Sequence, residues 1–270
     1  MTAPPPLRVL LLARRLRGSP EGEPADDVLG VCERAALRAA LHIQSTRGAR
    51  ITAIAAGPAQ REDRVLAMAL RAGCDAAVRV FDPILPALDA VGVAHVLAAT
   101  AARVGYDLVV CGDRSEDEGC GAIAAAVAEQ LDVMHVTGAV DVRAEGDPAE
   151  LVAAIRRAGR VYTVSTPLPA VVGVARFDRP LPDVAPERDA DRELDESPRT
   201  RRPPDAPSIE EFDLEAVGLS AAELRYRRSL AGATRPARMP RQPVLLPDGR
   251  ALFERLRDDH LFADAGGRAW

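Results

Sequence analysis

Along the first 175 positions the apolar residues alternate between two spacings. Leu7-Arg8-Val9-Leu10-Leu11-Leu12-Ala13 is a nearly continuous apolar run, as expected of a strand covered on both faces. After a polar loop from Arg17 to Pro24, the residues Val28, Val31, Ala35, Ala39 and His42 recur at helical spacing and predict a helix over Asp26–Gln44. Ile51–Ala56 reads as a second strand, stopped by Gly57-Pro58. A helix over Gln60–Ala72 follows, with Gly73 where a C-terminal cap belongs. Ala76–Phe81 is a third strand. Pro86–Val104 is predicted helical, its proline tolerated only in the first turn. Asp107–Cys111 is a fourth strand, and Gly119–Leu131 a helix of small residues. Strands and helices that alternate over short links imply right-handed crossovers and a parallel sheet. Val136–Val142, Leu151–Ile155, Val161–Ser165 and Ala170–Ala175 predict further strands, partly linked as hairpins. The fold class read from this pattern is an α/β sandwich.

The character of the chain changes at Arg176. Seven prolines fall between Pro180 and Pro207 among crowded Arg, Asp and Glu, a composition that cannot bury enough apolar surface to fold alone. Order is expected to return at Ser208-Ile209-Glu210-Glu211, where Ser followed three residues later by Glu reads as a capping box. Arg225–Arg241 carries six Arg and no acid, and Asp248–Phe262 predicts an amphipathic helix with Leu252, Phe253, Leu256 and Leu261 on its apolar face. The division expected is therefore a domain over 1–178, a Pro/Arg-rich linker over 179–207, and a segment and arm over 208–270. A folded domain followed by a weakly self-sufficient arm is the shape of a protein that wraps a partner, the alternative being a floppy tail; the terminal helix and the capping box favour the partner.

Composition adds mainly exclusions. The chain has 270 residues, of which 47% are hydrophobic but only 3% aromatic, so the core must be built from Ala, Val and Leu. All 35 basic residues are Arg. The net charge of -5 argues against a general nucleic-acid binder, whose footprint would be basic. No apolar run reaches the roughly 20 residues that a membrane helix needs, and Met1–Pro6 lacks the charged and apolar regions of a secretion signal. A soluble cytoplasmic protein is expected, with no membrane insertion. Cys32, Cys74, Cys111 and Cys120 form no Cys-x-x-Cys pair, and the four His are equally scattered, so neither a metal site nor a disulfide framework is expected.

Parallel sheets bind ligands at the carboxyl ends of their strands. Three turns occupy such ends: Arg14–Gly18, Gly57-Pro58-Ala59 and Gly112–Gly121. The last follows a strand and opens a helix, so its backbone N–H groups suit a phosphate, and Gly119 and Gly121 would let it approach closely. Against this, the loop carries four acids and one Arg and lacks a P-loop spacing, so site and simple helix cap both remain open. Ser115 has no assignable His partner, and no catalytic constellation emerges.

Taken together, the motifs resemble the β subunit of electron transfer flavoproteins. The resemblance runs through Leu7–Arg15, Cys32–Leu37, Gly57–Gln60, Ala67–Asp75, Tyr106–Gly112 with Asp117 and Cys120, Pro167–Val172, and Ser208–Leu219. It implies a Rossmann-like three-layer sandwich of the adenine-nucleotide α-hydrolase type and no bond-making catalysis. It also implies a heterodimer with an α subunit that carries FAD, electrons received from a dehydrogenase and passed to a quinone reductase or other acceptor, and a structural AMP. The site it implies comprises Leu12, Gly30, Val31, Cys32, Ala56, Gly57, Gly112, Asp117, Gly119, Cys120, Gly121, Ala122 and Ile123, with no catalytic or metal-binding residue. The chain departs from the family pattern at Leu29-Gly30-Val31, in place of an Asn-Pro-aromatic turn. It departs again at Gly121-Ala122-Ile123, in place of Asn-Gln-Thr, which removes amide and hydroxyl groups that would hold the phosphate. The alternative from another class is a stand-alone adenine-nucleotide module resembling universal stress proteins.

Overall fold

Strand β1 (Leu7–Leu12) shows how the sequence builds layers. Its alternate residues Leu7, Val9 and Leu11 are buried with Ala35, Ala36, Leu37, Ala39, Ala40 and Ile43 of helix α1 (Val31–Arg47) and with Val65, Leu66 and Ala69 of α2 (Ala59–Ala72). Leu10 and Leu12 point the other way, into a second core with Val96, Leu97 and Ala101 of α3 (Ala90–Val104) and Ala124, Val127 and Ala128 of α4 (Ile123–Leu131). A strand hydrophobic on both faces is thus sandwiched by two helix pairs, as its apolar run, interrupted only by exposed Arg8, requires. The alanines of α1 let its backbone approach the sheet closely, and their near-complete burial makes up for the shortage of aromatic rings.

The other strands are β2 (Ala49–Ala56), β3 (Ala76–Val80), β4 (Leu108–Gly112), β5 (Met134–Arg143), β6 (Glu150–Arg157), β7 (Arg160–Pro167), β8 (Ala170–Val174) and β9 (Ile209–Phe212). They form one sheet in the order β7-β6-β5-β8-β4-β1-β2-β3-β9. β5 to β7 are joined antiparallel by hairpins, and every other neighbouring pair is parallel. The predicted three-layer α/β sandwich, Rossmann-like, is the fold of the protein. The computed structural model describes residues 5–14, 29–115, 119–144, 149–176, 208–224 and 247–258. Residues 1–231 make one unit and 232–270 another.

Five expected elements differ from those observed. Helix α1 begins at Val31 rather than Asp26, because Gly30 has extended backbone and caps it, and it continues past Gln44 to Arg47; Asp26 and Val28 lie outside the described residues. The helix expected from Pro86 is interrupted. Leu85–Ala87 forms a single 3-10 turn, Leu88 is extended, and α3 starts only after Asp89, whose Oδ1 accepts from the Gly92 N–H at 2.8 Å. A side-chain cap needs non-helical backbone at its own position, so it overrides the continuous apolar pattern. Helix α4 starts at Ile123 instead of Gly119, since Gly119 and Gly121 hold φ of 61° and 62°, which a right-handed helix excludes.

The fourth difference is a change of type. Ser208–Glu211 does not open a helix: Ile209–Phe212 is the strand β9, paired with Ala77–Val80 of β3. An open sheet edge offers backbone partners that local capping chemistry cannot match. The capping box sits further on, at Ser220 and Glu223, where the Ser220 N–H donates to Glu223 Oε2 at 3.0 Å and the Glu223 N–H donates to Ser220 Oγ at 3.3 Å. Finally, the terminal helix α5 runs over Gly249–Asp258, with Asp248 Oδ1 accepting from the Ala251 N–H at 2.8 Å. Leu252 and Phe253 are exposed on it, while Leu261 and Phe262 lie outside the described residues, as do the Pro/Arg-rich stretch 179–207 and Arg225–Arg241.

A buried cation fastens β9 to this framework. Arg79 of β3 is only 6% exposed, and its Nε donates to Asp63 of α2 at 2.8 Å while its Nη2 donates to Glu211 of β9 at 2.6 Å. At the amino ends of β1 and β4, Arg8 donates from Nη2 to Asp107 Oδ1 at 2.7 Å, and this bond holds the Asp107 carboxyl below the usual aspartate range.

Candidate functional site

In the strand order, β1 has β2 on one side and β4 on the other, so the crossover direction reverses between β1 and β4. Such a switch point opens a crevice at the carboxyl ends of the two strands. The residues expected there gather at that end. Leu12 closes β1 and is buried; Ala56 closes β2 and Gly57 follows it, buried; Gly112 closes β4. Gly30 and Val31 form the cap and first residue of α1, with Gly30 buried and Val31 53% exposed. Cys32 is half-buried, and its thiol donates to the Ala175 carbonyl, just past β8, at 3.2 Å. Gly119 and Cys120 are exposed, whereas Gly121, Ala122 and Ile123 are half-buried at the start of α4. Asp117 lies outside the described residues.

The loop after β4 folds back on itself. The Gly119 N–H donates to Ser115 Oγ at 3.3 Å, and a Cβ at Gly121 would stand 3.3 Å from the Asp113 carbonyl oxygen and from Arg114 Cγ. Two helices, α1 and α4, point their N-termini at this end, and neither has a side-chain cap: their cap residues are Gly30 and Ala122. Uncapped N-termini favour negative charge.

That charge comes from the chain itself, at positions the sequence pattern did not single out. Glu33, in the first turn of α1, is 5% exposed and packs on Gly112, where a Cβ would meet its Cδ, Oε1 and backbone N, each at 3.1 Å. Glu62, in the first turn of α2, is 9% exposed and presses on Gly57, where a Cβ would lie 2.7 Å from its Cγ and Oε1. Asp113 leads the loop after β4. Its Oδ1 accepts from the Gly138 N–H at 2.9 Å, its own N–H donates to the Val174 carbonyl at 2.9 Å, and Oδ2 lies 3.6 Å from Arg114 Nε. Gly57 and Gly112 belong to the site that the family resemblance implies; the groups that approach them are the chain's own Glu62 and Glu33 side chains. The available signal was an acid in the first turn of α1 and of α2, which reads equally well as an ordinary helix-end charge.

The local field is correspondingly negative. Burial, with smaller contributions from Asp113 and Glu33, pushes the Cys111 thiol up to about 12. Cys74, buried beside Asp75, is likewise pushed up to about 12. Only the thiolate reacts. A maleimide or iodoacetamide added to the native chain should therefore modify exposed Cys120 first and leave Cys74 and Cys111 unmodified until the protein unfolds, as peptide mass mapping would report. Early labelling of Cys111 would mean that β4 opens in the native state.

A nucleotide phosphate is a poor fit to these residues. The loop Gly112–Gly121 contains one cation, Arg114, which lies beside Asp113, and Ala122, Ile123 and Ala124 contribute no polar side chain. Among the described residues, no group of three or more His, Cys, Asp or Glu is arranged to hold a metal ion, and no helix is long and apolar enough to cross a membrane.

Several curated proteins are similar in sequence to this chain. The electron transfer flavoprotein subunit beta of Thermoanaerobacterium thermosaccharolyticum is 30% identical over 148 residues, 55% of this chain and 56% of that protein. The subunit beta of Clostridium acetobutylicum matches with the same identity and coverage. That of Mycobacterium tuberculosis is 30% identical over 158 residues, 56% of this chain and 58% of its own. The matched region thus spans a little over half the length of these curated relatives. Residues 27–195 match the electron transfer flavoprotein domain, a stretch that includes the carboxyl ends of β2 and β4 and the hairpins beyond them and that begins after β1. The chain belongs to the electron transfer flavoprotein family.

Proposed function

We propose that the protein is the β-like subunit of a heterodimeric electron transfer flavoprotein. In this reading it supports an α-like subunit that holds FAD, and the pair carries electrons from a dedicated dehydrogenase to a quinone reductase or other acceptor of the respiratory chain. The observation that carries the reading is the family match over 27–195 together with relatives named as subunit beta. The flavin supplies the redox chemistry. This chain's part is to shape and bury one side of the site, and it performs no bond-making catalysis of its own. Val31, exposed at the head of α1, and Cys32 behind it are the side chains placed to meet a flavin held by the partner. Residues 179–207 serve as the linker, and 208–270 as the segment that reaches the partner, its first strand β9 also closing the sheet edge. The location is the cytoplasm.

Co-expression with an α-like subunit tests the proposal. The two chains should co-purify as a yellow complex that releases one FAD per pair on denaturation, and this chain alone should be colourless. Failure of the two chains to associate, or a flavin retained by this chain alone, would overturn it.

A further inference from the structure

The loop that follows β4 is held to the sheet by a carboxylate of its own. Asp113 Oδ1 accepts the Gly138 N–H at 2.9 Å. That donor is freed by an irregularity in β5, whose register against β8 shifts between Val136 and Ala139, with Gly138 at φ 72°. The space for the carboxylate is made by Gly173 of β8: a Cβ there would come within 3.1 Å of Asp113 Oδ1. The Asp113 side chain is only 12% exposed, and its backbone is tied as well, through its N–H to Val174. One residue therefore joins the ends of β4 and β8 to the irregularity within β5, and the group that does so is an anion accepting a backbone N–H, the role a bound phosphate plays in a strand-to-helix loop.

We propose that Asp113 is the resident anion of this loop, and that the chain folds and functions with no phosphate-bearing nucleotide bound there. A second carboxylate, Glu33, stands on the other side of Gly112. Arg114, the loop's one cation, lies with its Nε 3.6 Å from Asp113 Oδ2. An incoming phosphate would meet the buried Glu33 and the half-buried Asp113 at close range and find no side-chain donor at Ala122 or Ile123. This goes beyond the β-subunit reading and does not rest on it, because it concerns a loop complete within this chain.

The test uses the full chain, alone and in complex with an α-like subunit. Acid extracts of freshly purified protein, resolved by chromatography, should contain substoichiometric adenine nucleotide. Calorimetry with AMP should detect no binding tighter than about 1 mM. One AMP per chain, or sub-millimolar binding, overturns the proposal. In amide exchange, Asp113→Ala should open the Gly138 N–H about 10- to 100-fold faster, the loss expected for a hydrogen bond to a charged group, and added AMP or inorganic phosphate should not restore protection. Asp113→Asn keeps an acceptor oxygen and should retain most of the protection; it serves also if the alanine variant does not fold. Unchanged exchange of Gly138 in Asp113→Ala, or rescue of it by AMP, defeats the assignment. Loss of the α-like partner or of FAD would bear on the function proposed above and leave these readouts unaffected.

Discussion

Gly112→Val should destabilise the folded chain by about 3 kcal/mol, lowering the thermal midpoint by roughly 6–12 °C. The position closes β4, and the first turn of α1 lies directly against it: Glu33 Cδ, Oε1 and backbone N all stand 3.1 Å from where a Cβ would be. Two of those atoms belong to a side chain that is itself 5% exposed, and the third to the helix backbone, so none can swing into solvent. Valine adds two further methyl groups, and α1 must be driven off the sheet. Since α1 buries Ala35, Ala36, Ala39, Ala40 and Ile43 in the same core, its displacement loosens contacts far beyond the contact point. Gly112→Ala should cost about 1 kcal/mol, because the neighbours need to yield only a few tenths of an ångström. Urea unfolding gives both values; midpoints that coincide with the parent protein would show that the head of α1 retreats freely.

The second large effect runs against simple deletion arithmetic. Replacing Asp63 and Glu211 together by Ala should cost about 3–5 kcal/mol, whereas replacing Arg79 by Met should cost about 1 kcal/mol. Arg79 is the buried member, 6% exposed, while Asp63 and Glu211 are 42% and 64% exposed. Without both acids a guanidinium is left in a low-dielectric site with no opposite charge. Without Arg79 the two carboxylates regain water, and the methionine stem fills most of the space. Each single acid variant leaves the cation one partner, so the single losses should sum to less than the double loss. Urea midpoints for the four variants form the necessary cycle. A methionine variant as unstable as the double alanine variant would refute the asymmetry.

The central part of the fold was readable because its signals are local and redundant. Leu7–Leu12 is apolar on both faces, and Gly73 ends its helix in the predicted place with φ 120°. Where the reading failed, a longer-range interaction prevailed. Ser208 and Glu211 have the right spacing for a helix start, yet Arg79, 132 positions before Glu211, and the open edge of β3 make that stretch a strand. Of the candidate site, the sequence places Gly57 and Gly112 at strand ends and Gly121 before a helix, and the structure has them there. What approaches them was hidden. An acid such as Glu33 or Asp113 looks the same in sequence whether it faces water or turns inward, and the partner of Asp113, the Gly138 N–H, is set free only by a register shift in β5 that leaves no mark on the apolar pattern.

Strand β9 also has a topological side. The chain leaves β8 at its carboxyl end at Val174 and re-enters at the amino end of β9 at Ile209, beyond β4, β1, β2 and β3. At the usual strand spacing that is a lateral span of about 24 Å, in addition to the length of the sheet. The outermost strand, with Leu214, Val217 and Leu224 buried behind it, is therefore kept at its edge by a tether as well as by its ladder. A single peptide-bond cleavage between 177 and 207 would remove the tether and leave β9 joined to the sheet by its ladder with β3 and by the Arg79–Glu211 pair. It would nevertheless turn β9 from a fixture into a ligand, one that dilution alone removes.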